Sequence, residues 1–152
     1  MTILVFAFLP LRAFAGNEIL DEIDKKLKNL QIQLEELKLK ARQEDFLNWL
    51  INCESRGNIK AINTNDRKIT GYPSFGILQF QPKTLLTYGK KYELLPEEFS
   101  LKETMLIIWN PNLQKEIATK MIEDEEFKHW KTCYKKYPNK KSLLLEVMRN
   151  KK

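Results

Sequence analysis

From Leu20 to Ala41 the chain repeats one pattern. Leu20, Ile23, Leu27, Leu30, Leu34, Leu37 and Ala41 recur at alternating steps of three and four, and Asp, Glu, Lys, Asn and Gln fill most positions between them. Apolar residues at this spacing lay one narrow stripe along a helix, the a and d positions of a heptad. Neither Pro nor Gly interrupts the run, so residues 18–42 are predicted to form one long helix. Its seam must bury against something: a second copy, another protein, or the domain that follows. Three heptads sit near the lower limit for an independent coiled coil, so dimerisation and docking onto the chain's own domain both stay open.

Length limits what else the chain holds. With 152 residues and 43% hydrophobic content there is room for one domain of modest core beside the heptad appendage. Charged residues make up 30%, and the net charge is +6 with Lys and Arg spread along the chain. Diffuse basicity favours an anionic partner without choosing among nucleic acid, anionic lipid and cell-wall polymer; a merely soluble basic surface is the plainer alternative.

The first fifteen residues, "MTILVFAFLPLRAFA", are apolar and end in Ala13-Phe14-Ala15, a small-x-small pattern that signal peptidase accepts. Spanning a bilayer takes about 20 apolar residues, so residues 1–15 read as an export signal, cleaved after Ala15 or kept as an anchor; an ordinary buried N-terminal helix is the weaker alternative, because Pro10 would interrupt it. The expected location is therefore periplasmic, cell-surface or secreted. Cys53 and Cys133 are the only cysteines and His129 the only histidine, which leaves no metal knuckle; no metal or cofactor is expected. In an oxidising compartment the two thiols would most simply pair, closing a loop of about 80 residues worth around 4 kcal/mol in the chain-entropy model. In a reducing one they would be two buried thiols.

Residues 43–137 read as a compact, mainly α domain, with 138–152 as a tail that is either a last helix or a frayed end. "EDFLNWLIN" places Phe46, Leu47, Leu50 and Ile51 on one helical stripe. Between Ser55 and Gly76 turn residues dominate, and a small hairpin or ordered polar loop is expected there. Helical spacing returns at Pro82, suited to a first turn, and again after Ser100, whose Glu103 three residues on completes a capping box. "NPNLQKEIATKMIED" and "FKHWKTCYKKY" close the patterned part. Trp49 and Trp109 are expected in the core. There is no Gly-rich phosphate loop, no paired CxxC, no G-x-S-x-G and no nucleic-acid module, so no nucleic-acid partner is expected.

One acid stands out. Glu54 ends the apolar helix stripe and is followed by Ser55, Arg56 and Gly57, where helix hands over to loop. At the mouth of a cleft, partly shielded from water, a carboxyl pKa rises because desolvation disfavours the charged form. Such a Glu stays protonated near neutral pH and serves as a general acid. A solvated Glu at a helix end is the plainer reading of this position alone.

The wider pattern changes that balance. "ESRGNIKAIN", a polar loop, then "SFGILQFQPKTL" resembles the signature of the lysozyme-like lytic transglycosylases, including the small secreted members related to resuscitation-promoting factors. The matching elements are Glu54-Ser55, Asn63, Ser74-Phe75-Gly76-Ile77-Leu78-Gln79, Pro82 and Thr84, and the likeness covers roughly Phe46 to Tyr134. It implies an α+β lysozyme-like fold and a peptidoglycan glycan strand as substrate, with a disulfide starting at Cys53. By the same resemblance Glu54 is the catalytic acid at the MurNAc–GlcNAc bond. Gln79, Ser55 and Ser74 line the sugar cleft, and Gly76 lets backbone approach substrate. Phe80, Tyr72 and Trp130 are candidate cleft walls for sugar faces, with ordinary core packing as the alternative for each.

Most glycosidases use two carboxylates; the lytic transglycosylases resemble the exceptions, in which one Glu acts first as acid, then as base on the sugar's own hydroxyl. Asp66 is the nearby acid that would instead support a muramidase-type hydrolase, or simply serve a turn. The Tyr-Asn pair of larger family members has no counterpart here. A non-catalytic glycan-binding or scaffolding protein, with the helix recruiting a partner, is the competing class.

Overall fold

The computed structural model describes residues 11–140 and 143, with side chains from residue 18 onward. The leader expected over residues 1–15 and the tail expected over 138–152 lie largely outside the described residues. Among the described residues the chain is mainly helical, and no helix is long and apolar enough to cross a membrane.

Helix α1 runs from Leu11 to Ser55, continuous through the heptad and on to the acid at its end. The chain divides after Lys38, and from Leu39 onward it forms a compact unit. In the stretch up to Lys38, Leu20, Ile23, Leu27, Leu30, Leu34 and Leu37 are all exposed, at 46–64%. Exposed ion pairs Glu22–Lys26 (2.7 Å) and Glu35–Lys38 (3.0 Å) brace the polar faces of this stretch.

In the compact unit, Phe46 and Leu50 of α1 are fully buried, and Phe46 meets the rings of Phe127, Tyr134 and Tyr137 at 5.6, 5.9 and 4.8 Å. The turn-rich segment forms a two-stranded antiparallel sheet, β1 (Ile62–Asn63) against β2 (Ser74–Phe75), with Asn63 opposite Ser74. Between the strands lie a 3₁₀ turn, Thr64–Asp66, and a one-turn helix α2, Arg67–Thr70. Helix α3 (Pro82–Lys91) starts on Pro82. Helix α4 (Leu101–Ile107) carries the capping box: Ser100 accepts from the Glu103 amide, and the Glu103 carboxylate accepts from Ser100 N–H at 2.8 Å. Helix α5 (Pro111–Glu123) is capped by Asn110, whose side chain accepts from the amides of Asn112 and Leu113. A 3₁₀ turn, Phe127–Trp130, leads into α6 (Lys131–Lys136).

Leu78, Leu85, Ile108, Ile117, Met121 and Leu143 complete a core with no more than 0% exposure each. Cys53 and Cys133 form a disulfide that ties the end of α1 to α6 across 80 residues. Trp49 and Trp109 are half-buried at the core's edge, Trp49 donating to the Cys133 carbonyl at 3.2 Å.

Candidate active site

The helix that carries Glu54 ends in a left-handed turn, with Arg56 at φ 55° and Gly57 at φ 78°. The last turn of α1 is therefore fixed in place rather than frayed into the loop. Ser55 donates its hydroxyl to the Ile77 carbonyl at 2.8 Å, joining this turn to the "SFGILQF" segment.

That segment is a closed loop. Phe75 and Phe80 exchange main-chain hydrogen bonds at 3.0 Å each way, and the chain reverses between them through Gly76 at φ 76° and Gln79 at φ 52°. A positive φ at a glutamine is uncommon and persists where surroundings enforce it. The surroundings here are specific. Gln114 of α5, fully buried, accepts from Leu78 N–H at 3.0 Å and donates to the carbonyls of Phe75 and Ile108. Trp130 donates its indole N–H to the Leu78 carbonyl at 3.0 Å. Three elements thus grip one six-residue loop by its main chain, and the hydrogen bonds of that loop are satisfied in a buried setting.

Around this loop opens a cleft of about 590 Å³. Glu54, Asn63, Asp66, Ser74, Gln79, Phe80 and Trp130 line it, with Cys53 and Cys133 beside them. Glu54 is half-buried, and its carboxyl is pushed up to about 7, first by burial and second by the negative charge of Asp66. At neutral pH a substantial fraction of this Glu carries a proton. Asp66 does more than serve a turn: its Oδ2 accepts from Ser74 Oγ at 2.5 Å and from Asn63 Nδ2 at 3.2 Å. The strand register that sets Asn63 opposite Ser74 is what brings both donors to one carboxylate oxygen. Chemically, the cleft offers one proton donor poised near neutrality and a second carboxylate held in a defined orientation.

The residues singled out from sequence have different fates. Ser74 and Gln79 reach the cleft, while Ser55 lines a smaller pocket that shares Glu54 and Gln79 with it. The Gln79 amide nitrogen donates to the carbonyls of Gly76 (2.8 Å) and Ala61 (3.3 Å), which leaves its carbonyl oxygen as the group it can offer a ligand. Phe80 and Trp130 line the cleft but are 2% and 4% exposed and pack edge-to-face at 5.5 Å, so they are floor and core rather than open stacking platforms. Tyr72 is not part of the cleft lining: it follows the left-handed turn at Gly71, and the Lys83 ammonium lies 5.6 Å from its ring centroid. At Gly76 a Cβ would run into the Gln114 amide, so the glycine makes room for the buried glutamine.

Two features escaped the sequence reading. Gln114 sits on the same helical face as Ile117, Ala118 and Met121, and a glutamine on an apolar stripe is itself a sign of a buried hydrogen-bonding task. The other is a lysine-bearing part of the cleft lining from the Phe127–Trp130 turn and α6: Lys128, Lys131 and Lys136. His129, also in the lining, bonds the Tyr88 hydroxyl at 3.0 Å, and burial pushes its pKa down. Among the described residues no group of three His, Cys, Asp or Glu side chains is placed to hold a metal ion. No family model, no curated protein and no solved structure matches this chain.

Proposed function

We propose that this chain is a lytic transglycosylase of lysozyme-like architecture that cleaves the MurNAc–GlcNAc bond of peptidoglycan outside the cytoplasm. The observation that carries the reading is Glu54: half-buried on a pinned helix end, inside a cleft large enough for sugar rings, with its carboxyl pushed up to about 7. The Cys53–Cys133 disulfide supports an oxidising compartment. The exposed heptad seam supports attachment to a second copy or to another protein.

In this mechanism Glu54 donates its proton to the glycosidic oxygen as the bond to the anomeric carbon breaks. The electron pair leaves with that oxygen, and positive charge builds on the ring. The carboxylate of Glu54 then takes the proton of the sugar's own hydroxyl, whose oxygen closes onto the anomeric carbon, giving an anhydro-sugar without water. Replacing Glu54 with Gln keeps the shape and removes the proton; release of soluble muropeptides from purified sacculi is expected to fall by about 10²–10⁴-fold. Release by E54Q equal to that of the parent would sink the enzyme reading.

Asp66 favours a second reading, hydrolysis. Its carboxylate lies in the same cleft, close enough to raise the Glu54 pKa, and Ser74 and Asn63 orient it as a group that positions a water would need to be oriented. Mass spectrometry of the products separates the two, since the anhydro product is lighter by one water. The pH profile tests the coupling. Glu54 must be protonated to donate, so kcat/KM is expected to fall as pH rises through about 7. Removing the Asp66 charge with D66N lowers the Glu54 pKa and moves that fall to lower pH.

A further inference from the structure

The lysines in the cleft lining have no task in the chemistry just described, because the bond that is cleaved and the hydroxyl that closes onto the anomeric carbon are uncharged. Resting on the glycan-cleaving reading, we propose that Lys131 and Lys136 form a subsite for an anionic group, a carboxylate or a phosphate, carried as a substituent on the glycan strand.

Position comes first. Cys133 of α6 is bonded to Cys53, the neighbour of Glu54, with their Cα atoms 6.0 Å apart. Lys136 follows Cys133 by three residues in α6, so the two share a helix face, and that face lines the cleft. Lys131 opens the same helix and lines the cleft too.

Pairing separates these two lysines from their neighbour. Lys128 is engaged by the Glu126 carboxylate at 2.9 Å, whereas Lys131 and Lys136 form no ion pair among the described residues. Both are exposed, with ammonium groups open to an incoming anion. Lysine ammonium is a compact point charge with three rotatable donors, which suits a carboxylate or phosphate that arrives in more than one orientation.

Carboxylates would come from peptide attached to the lactyl group of muramic acid, and phosphates from a polymer linked through a sugar hydroxyl.

The test measures KM and kcat on three strand preparations at low salt, with every lactyl carboxylate freed by peptide removal converted to its neutral amide: peptide-bearing strands without phosphate polymer, phosphate-bearing strands without peptide, and strands stripped of both. The parent protein is expected to show a KM on the order of tenfold lower for one anionic preparation than for stripped strands, the scale of two solvent-exposed ion pairs. The preparation that gains identifies the carboxylate or the phosphate as the source. K131Q/K136Q brings that KM ratio toward one, high salt does the same for the parent, and K131R/K136R keeps the ratio. A parent KM equal on all three preparations, or a ratio that survives in K131Q/K136Q, overturns the subsite while leaving glycan cleavage intact. Cleavage of none of the three by the parent overturns the glycan reading and the subsite with it.

Discussion

Leu27 and Leu50 stand on the same helix and are the same residue, yet Leu27 is 51% exposed and Leu50 is fully buried. Up to Lys38 the apolar residues of α1 repeat at steps of three and four and are exposed. From Leu39 onward the helix meets elements far away in sequence: Phe46 packs on rings at 127, 134 and 137. The difference teaches that periodicity writes a face and tertiary contacts decide whether it is used. A strict heptad stripe fits another helix; the stripe around Phe46 fits an irregular, aromatic core.

That contrast is open to direct attack, and the largest effect is expected in the core. F46A removes a ring held by three others and should cost roughly 3–5 kcal/mol in denaturant unfolding, against a cost below about 0.5 kcal/mol for L27A in a dilute sample. Equal losses at both positions would mean that the heptad stretch is as firmly packed as the core. Replacing both Cys53 and Cys133 with Ser should cost about 4 kcal/mol, read as a lower midpoint with a steeper denaturant slope, because the unfolded chain loses its cross-link and expands. Q114A leaves the buried Leu78 N–H and Phe75 carbonyl without their partner, for about 1–3 kcal/mol, and should lower cleavage by loosening the loop beside Glu54. L27K/L34K should leave the melting of the compact unit within a degree or so while lowering the mass seen in sedimentation at high concentration. An unchanged mass would remove the seam from any role in self-association.

What could be read from the sequence followed the range of the forces involved. Ser100 with Glu103, Pro82, and Asn110 before Pro111 announce helix starts through contacts three or four residues long, and the helices begin there. The hairpin was expected where turn residues cluster, and β1 and β2 pair across that segment. Glu54 was expected to be shielded, and burial is the leading cause of its raised pKa. The omissions are all long-range. The tie between Gln114 and the loop at 75–78 spans 36 to 39 residues, and no local rule announces it. Lys131 and Lys136 read as diffuse surface charge until the disulfide across 80 residues sets their helix beside the cleft.

The Gly76–Gln114 fit carries a consequence for how such a chain can diverge. The glycine leaves the space that the amide fills, and the amide holds the loop that the glycine turns. Changing the glutamine alone opens a hole lined by unsatisfied main-chain groups; changing the glycine alone drives a methyl into the amide. Lineages that keep this loop are therefore expected to inherit the two positions as a pair, and a sequence holding only one of them marks a loop rebuilt on a different plan.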